Sequence, residues 1–301
     1  MIAIGGGSAL DAGKAIALLC GQARPLWDFE DEGDNWQRAK PDDIAPVIAI
    51  PTTAGTGSEV GRAAVILDEQ TQRKKILFHP SMLPGLVISD PELTVGLPAS
   101  LTAWTGIDAF VHALEAYLAP GFHPSAEGIA VDAMRLVQQF LPRAVADGGD
   151  LEARGLMFEA ASMWASAFLK GLGSIPALSH VVGGIYNSHH GITNAVVLHY
   201  GVYLNAPVYE EKLDYLCRVL ALQDRGANGF VDFLQRFCAD LGIPPDLSAL
   251  ELDDSRAAEI GLLALQDPSA AGNPRTLDAT QYTALFRAAL AGDYRLLDAV
   301  R

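Results

Sequence analysis

The sequence predicts an α/β layer with parallel strands over residues 1–97, followed by an all-helical domain over residues 98–301. Before residue 97, short apolar runs alternate with turns and with one helix-like segment. After Pro98, apolar residues recur at helical spacing and strand patterns are almost absent. The order strand, turn, helix in the first part is typical of parallel sheets, so an α/β layer followed by a helical domain is expected.

The first part contains one predicted helix, over residues 8–19, and five predicted strands. The strands are 2–4, 46–50, 64–67, 75–78 and 86–89. The third and fourth flank a polar turn and form a predicted hairpin.

The second part contains nine predicted helices. They are 101–118, 125–146, 151–170, 176–186, 192–205, 209–222, 227–241, 254–264 and 278–290. The segment 101–118 is apolar almost all round, which is typical of a helix buried in the core.

Composition excludes several classes of protein. The chain has 301 residues, half of them hydrophobic, and a formal net charge of −15. This charge argues against a nucleic-acid partner, which would need a basic face. No stretch has the length of a membrane span, so no membrane partner is expected. Three cysteines without paired spacing fit a reducing compartment, and we expect a cytoplasmic location.

A glycine turn, Gly5-Gly6-Gly7, lies between the first strand and the first helix. Glycines let the backbone approach a phosphate, and a helix N-terminus attracts anions. Ser8 and Asp11 have the spacing of a capping box, which predicts Ser8 as the N-cap. A tight turn before a well-capped helix, without any ligand, explains this segment equally well.

A second polar loop, residues 51–59, follows the second strand. Its hydroxyls and glycines suit a diphosphate or a ribose. Because ligands bind at the carboxyl ends of strands in open α/β sheets, two such loops favour a nucleotide site over two unrelated turns.

The helix 101–118 places Asp108, His112 and Glu115 on one face, at positions i, i+4 and i+7. An Asp/His pair at this spacing can supply two ligands to a divalent ion. The alternative is a buried Asp–His hydrogen bond without metal. Four of the seven histidines fall between residues 180 and 199, and His190 lies at a helix junction where it can face a cleft.

Taken together, these segments resemble the iron-containing (group III) alcohol dehydrogenases. The similar segments are IGGGSALDAGKAIAL, PTTAGTGSEV, ISDPELTVGLP, TAWTGIDAFVHALEAY, GLGSIPALSH, SHHGITNAVVLHY and GNPR. The resemblance implies a dehydroquinate-synthase-like fold, in which a partial Rossmann-like nucleotide domain precedes a helical metal-binding domain. It also implies one or two βα units upstream of Met1, so we expect the nucleotide domain to be N-terminally incomplete.

The resemblance assigns roles residue by residue. It implies that the diphosphate turn and the second cofactor loop are formed by Gly5, Gly6, Gly7, Ser8, Asp11, Thr52, Thr53, Gly55, Thr56 and Ser58. It implies that Lys75 reaches the cofactor, and that His180 lies beside the nicotinamide and the substrate. The implied metal ligands are Asp108, His112 and His190.

One position departs from the family pattern. The family usually has a further histidine ligand four residues before His180, and this chain has Pro176 there. Proline cannot bind a metal, and it also alters a helix. Three ligands can still hold an ion, but we expect the occupancy of the Fe²⁺ or Zn²⁺ site to be reduced.

The predicted function is metal-assisted hydride transfer between NAD or NADP and a small alcohol, aldehyde or ketone. Within the fold, a glycerol-dehydrogenase-like or maleylacetate-reductase-like enzyme is the alternative. Another class of alternative is an inactive, truncated relative that keeps the helical domain as an interaction module. The resemblance also implies a homo-oligomer.

Overall fold

A computed structural model of the chain describes residues 1–71 and 73–301, apart from the side chain of Leu169. It contains a three-stranded parallel sheet, a two-stranded hairpin and a group of packed helices. The strands are β1 (Ile2–Gly5), β2 (Ile48–Pro51), β3 (Ala63–Asp68), β4 (Arg73–Phe78) and β5 (Leu86–Val87).

The parallel sheet has the strand order β1-β2-β5. In the register, Ile2 pairs with Ile48 and Ile48 pairs with Leu86. The chain therefore returns to the same edge of the sheet after each strand, and the loops that follow β1 and β2 lie side by side. The hairpin pairs β3 with β4 antiparallel, as predicted; its polar turn includes Gln72, which lies outside the described residues.

The first helix, α1 (Gly7–Leu19), packs against the inner face of the sheet. Ala3 and Gly13 meet there so closely that a Cβ on Gly13 would lie 2.5 Å from the Cβ of Ala3. The opposite face of the sheet is apolar and accessible, because Ile2 and Ile4 are 61% and 59% exposed.

The remaining helices follow residue 98. They are α2 (Ala99–Leu118), α3 (Pro124–Ala146), α4 (Leu151–Ala167), α5 (Ser174–Tyr186), α6 (His190–Asn205), α7 (Glu210–Val219), α8 (Gly226–Asp240), α9 (Ala257–Gln266), α10 (Ala279–Ala291) and α11 (Arg295–Asp298). Each predicted helix is present within a few residues of its predicted bounds, and the short α11 was not predicted.

The largest hydrophobic core surrounds α2, which packs against α3, α4 and α6. From Gly106 to Leu118 every residue of α2 is buried. None of the helices in the described part of the chain is long and apolar enough to cross a membrane. The division into two domains at residue 97 stays a prediction, although the sheet and the hairpin precede that point.

Candidate active site

The glycine turn lies at the carboxyl end of β1, and α1 begins directly after it. Gly5 has φ 143°, a backbone conformation that favours glycine. The N-cap of α1 is Gly6, which has no side chain to occupy the first N–H groups of the helix. Such N–H groups attract anions, so this geometry agrees with the predicted phosphate site, which stays a prediction.

The predicted capping box is wrong. Ser8 is exposed and lies inside the first turn of α1 rather than before it. The Asp11 carboxylate accepts hydrogen bonds from Ser58 Oγ at 2.6 Å and from the N–H of Val65 at 3.0 Å. Asp11 therefore ties α1 to the second cofactor loop instead of capping its own helix.

The two cofactor loops lie directly against each other. The N–H of Thr52 donates to the carbonyl of Gly5 at 2.9 Å. A Cβ on Gly6 would lie 3.3 Å from Thr53 Oγ1, and a Cβ on Gly7 would lie 2.6 Å from the Thr56 side chain. Any larger residue in the turn would displace the second loop, so the two loops form one surface.

Lys14 stabilises the contact between the two loops, a role that local sequence spacing does not reveal. Its buried ammonium group donates to the carbonyls of Ser58 at 2.9 Å and Gly61 at 3.4 Å, and also to that of Ala63. Burial lowers the pKa of Lys14, and the nearby Asp11 carboxylate opposes that shift. The lysine therefore holds the end of the second loop in place through its backbone carbonyl groups.

Lys75 is held in ion pairs with acidic side chains, which argues against its predicted contact with the cofactor. Its ammonium group pairs with Glu30 at 3.0 Å and Asp68 at 3.4 Å. Its neighbour Lys74 faces α5 instead, and its Nζ would lie 3.2 Å from a Cβ on Gly183. Side chains alternate along a strand, so a shift of one residue moves the lysine from one face of the hairpin to the other.

The three predicted metal ligands come together. Asp108 and His112 lie one turn apart on α2, and His190 is the first residue of α6. One potential ligand atom of each lies within 4.8 Å of the others. His112 Nδ1 is 3.5 Å from the Asp108 carboxylate, and His190 Nε2 is 3.6 Å from it. Among the described residues, His112 Nδ1 is buried without a hydrogen-bond partner, so these side chains fit a divalent ion.

A glycine makes this convergence possible. Gly191 follows His190, and a Cβ there would lie only 2.4 Å from the carbonyl oxygen of Trp104 on α2. The start of α6 can approach α2 this closely only because residue 191 has no side chain. The pair of residues His190-Gly191 therefore brings a third ligand to the helix that carries the other two.

Burial and one serine keep the histidines in the form that binds a metal. Burial lowers the pKa of His112, and it lowers the pKa of His190 well below the ordinary range, with nearby His180 and Lys74 adding to the effect. Ser179 Oγ lies 3.0 Å from His190 Nδ1 and donates to the His190 carbonyl. The serine oxygen thus accepts from Nδ1–H, which leaves the Nε2 lone pair facing Asp108.

His180 lies beside this group and has a carboxylate partner that the sequence did not reveal. Its ring is 5.1 Å from that of His190, and its Nδ1 is 3.0 Å from Asp267 Oδ2. Burial opposes the charged form of Asp267, but His180 and the N–H of Ser269 outweigh burial and lower the pKa of this carboxyl group. Asp267 comes just before the GNPR segment, and no local spacing links it to His180.

Pro176 lies in the first turn of α5, because the helix begins at Ser174 rather than at residue 176. A proline N lacks a hydrogen, but the first N–H groups of a helix have no intrahelical acceptor. The expected distortion of the helix is therefore wrong. Glu115 lies at this helix start, and burial raises its pKa to about 8, a shift that the N–H groups of Gly173 and Ile175 oppose.

Trp164 of α4 connects a predicted metal ligand with the second predicted cofactor loop. Its indole ring stacks on His112 with the ring centres 4.3 Å apart. Its Nε1–H donates to the carbonyl of Gly55 at 2.6 Å. One side chain thus spans from a predicted ligand to the second cofactor loop, so the two predicted sites are adjacent.

Comparison with known proteins identifies the family. A model of the iron-containing alcohol dehydrogenases matches residues 1–91, and a model of the C-terminal part of the Fe-containing alcohol dehydrogenase family matches residues 102–290. The chain belongs to the iron-containing alcohol dehydrogenase family. The predicted family and the predicted function class, an alcohol oxidoreductase, are confirmed.

Several relatives have a named activity. The chain is 38% identical over 292 residues to the 4-hydroxybutyrate dehydrogenase of Cupriavidus necator, with 94% of this chain and 75% of the relative covered. It is 35% identical over 297 residues to the NAD-dependent methanol dehydrogenase of Bacillus methanolicus, with 96% and 77% covered.

Comparison with a solved structure confirms the fold class that was predicted for this chain. The crystal structure of a 1,3-propanediol oxidoreductase superposes with a TM-score of 0.90 at 33% identity, with 96% of this chain and 76% of that protein covered. The α/β layer followed by packed helices is therefore the architecture of the family. The family supports a nicotinamide cofactor and a metal, and its members named here act on small alcohols.

Proposed function

We propose that this chain transfers a hydride between NAD or NADP and a small alcohol or aldehyde, in the cleft between the cofactor loops and α2. The observation that supports this proposal most is the contact made by Trp164. It stacks on His112 and donates to the loop carbonyl of Gly55. A nicotinamide near that loop would be close to a substrate near the three ligands.

Asp108, His112 and His190 would hold a divalent ion, which supplies Lewis acidity that lowers the pKa of a bound alcohol. The low pKa values of the two histidines keep their lone pairs free of protons at neutral pH. Trp164 covers one face of His112 and keeps water from it. A bound nicotinamide would supply the hydride chemistry.

His180 would handle the proton of the alcohol. Its Nδ1 is held by Asp267, so its Nε2 is the nitrogen that can accept a proton from the substrate hydroxyl, directly or through a water molecule. The negative charge of Asp267 would stabilise the imidazolium that results. In the oxidation direction, the proton of the alcohol would pass through His180 to solvent.

The test is alcohol-dependent reduction of NAD⁺ and NADP⁺ at alkaline pH, after incubation with Fe²⁺, Zn²⁺ or Mn²⁺. Primary alcohols, diols and ω-hydroxy acids sample the substrates of a family of this kind. Lys74→Ala and Lys75→Ala form a matched pair, since the two lysines lie on opposite faces of β4. We expect a loss of at least tenfold in kcat/KM for Lys74→Ala and less than a twofold change for Lys75→Ala.

Activity with neither cofactor on any alcohol, in protein that carries bound metal, would favour an inactive relative. Equal losses in the two lysine variants would contradict the inference that Lys74, which faces α5 near His190, matters more than Lys75. A homo-oligomeric state and a cytoplasmic location stay part of the proposal. The three free cysteines, Cys20, Cys217 and Cys238, agree with a reducing compartment.

A further inference from the structure

Asn194 lies one turn after His190 on α6 and is completely buried. Its side chain sits between two of the predicted ligands. Nδ2 donates to Asp108 Oδ1 at 2.7 Å and lies 3.0 Å from His190 Nε2. The other end of the carboxamide, Oδ1, is buried and has no hydrogen-bond partner among the described residues.

The separations within this group are those of atoms that share one ion. The amide nitrogen, Asp108 Oδ1 and His190 Nε2 are 2.7, 3.0 and 3.6 Å from one another. A single point can be placed about 2.1 Å from all three, which is the usual bond length to oxygen and nitrogen ligands. The amide therefore occupies a ligand position, with its nitrogen facing the place of the ion.

A carboxamide can present either of its ends. Turning the Asn194 amide by half a turn about its last bond puts Oδ1 where Nδ2 is, with no movement of the helix. The turn exchanges one unpaired polar atom for another, because Nδ2 then takes the place of the unpaired Oδ1. The turn gives up the hydrogen bonds from Nδ2 to Asp108 and to His190 Nε2, and an ion bound by both of these atoms would satisfy them instead.

We propose that the Asn194 side-chain oxygen is the fourth ligand of the ion in this protein. This inference rests on the ion of the proposed function. The sequence predicts that Pro176 removes one ligand from the site. In this proposal the ligand is replaced instead, because the neutral oxygen of Asn194 takes the place of an imidazole nitrogen. Because oxygen ligands suit Mn²⁺ better than nitrogen ligands do, the site should favour Mn²⁺ over Zn²⁺ more than a three-histidine site does.

A double-mutant cycle distinguishes a ligand from a residue that only orients its neighbours. The four proteins are the natural chain, Asn194→Leu, Pro176→His and the double variant, and the measurement is the Kd of Co²⁺ and Mn²⁺ by calorimetry. We expect Asn194→Leu to weaken binding at least tenfold in the natural background. In the Pro176→His background the introduced histidine supplies a ligand, so Asn194→Leu should weaken metal binding less than threefold.

An equal loss in both backgrounds would overturn the proposal, because an orienting residue would be needed in each. No loss in the natural background would overturn it as well. The Co²⁺ absorption spectrum gives a second reading that does not depend on affinity. The spectrum of Asn194→Leu should differ from that of the natural chain in the intensity of its visible bands, because the coordination of the ion changes.

A crystal structure of the natural chain soaked with Mn²⁺ tests the same point without any variant. We expect the nearest side-chain atom of Asn194 at about 2.0–2.2 Å from the ion. A separation above about 3 Å, with the ion bound by the other three residues, would overturn this inference and leave the proposed function intact. An ion that binds nowhere in this cleft would overturn both, whereas an ion bound by all four residues without dehydrogenase activity would overturn the proposed function alone.

Discussion

The two parts of the molecule hold their functional residues by different means. The predicted metal ligands Asp108 and His112 lie on α2, whose residues from Gly106 to Leu118 are all buried against neighbouring helices. The cofactor loops instead extend from a small sheet with one open face, on which Ile2 and Ile4 are more than half exposed. They are fixed by a few polar contacts, chiefly from Asp11 and Lys14.

This difference sets what each region tolerates. Apolar packing on all sides fixes α2, so a lost side chain leaves a cavity that its neighbours cannot fill. The cofactor loops depend on directional hydrogen bonds, so the loss of one donor leaves several carbonyl groups unsatisfied. The open face of the sheet depends neither on apolar packing on all sides nor on directional hydrogen bonds. Substitutions should therefore cost most in the helical core and least on the sheet face.

The largest effect is expected in the core around α2. Phe110 is completely buried there, whereas Phe122 is 91% exposed in the loop after the same helix. Phe110→Ala should lower the free energy of unfolding by about 3–5 kcal/mol. Phe122→Ala should change it by less than about 0.5 kcal/mol. Urea denaturation measures both, and similar costs for the two variants would contradict the contrast between core and surface.

The next effect depends on pH and arises from Glu115. Burial raises its pKa to about 8, so the folded protein keeps this proton at pH values where the unfolded chain, with an ordinary pKa near 4.3, has lost it. Stability is therefore lost as the pH rises from about 4.3 to about 8, and the loss is constant above that. Glu115→Gln cannot ionise, and its amide oxygen can still accept from Gly173 and Ile175.

Glu115→Gln should thus exceed the natural chain in stability by an amount that grows to a few kcal/mol at pH 8. Thermal unfolding between pH 5 and pH 9 measures this difference. Glu32→Gln, at an exposed position, should follow the natural chain throughout. A difference between Glu115→Gln and the natural chain that stays the same at every pH would mean that Glu115 is ionised in the folded protein.

Much of the fold and part of the site could be predicted because both depend on local pattern. Helical spacing of apolar residues located the helices, and the Asp108/His112 pair followed from one helical face. The prediction that His190 joins this pair depended on the family resemblance, because the three residues converge only where α6 approaches α2 closely at Gly191. That approach is a property of two helices packed together, which no local spacing encodes.

The missed and misplaced residues all depend on contacts between distant segments. The family resemblance implied Lys75, and the alternation of a strand indicates two faces but not which of them meets α5. The capping-box spacing of Ser8 and Asp11 could not reveal that Asp11 has a partner 47 residues away. Asp267 and Asn194 are single polar residues whose partners lie on other helices.

A smaller effect is expected beneath the cofactor loops. Lys14→Met would keep most of the buried volume but remove the donor to the carbonyls of Ser58, Gly61 and Ala63. Because these hydrogen bonds are buried or partly buried, we expect the free energy of unfolding to fall by about 1–3 kcal/mol. Nucleotide binding should weaken at least tenfold. Lys40→Met, on an exposed side chain, should change neither. Intact nucleotide affinity in Lys14→Met would show that the loop holds its shape without the lysine.

The smallest effect on stability, and a separate effect on association, is expected on the open face of the sheet. Both faces of parallel sheets are normally covered, and here the face formed by Ile2, Ile4 and Leu86 is apolar and accessible. Ile2→Thr with Ile4→Thr keeps residues that suit a strand, so stability should change by less than about 1 kcal/mol for the pair. Exposed apolar patches promote association, so the double variant should show less self-association than the natural chain in sedimentation velocity over a range of protein concentrations.

The control is Leu262→Gln, which removes a leucine that is 50% exposed on α9, outside this face. It should leave association unchanged. A large loss of stability in the double variant would mean that the two isoleucines are packed in solution, and the contrast between a closed helical core and an open sheet would then be wrong.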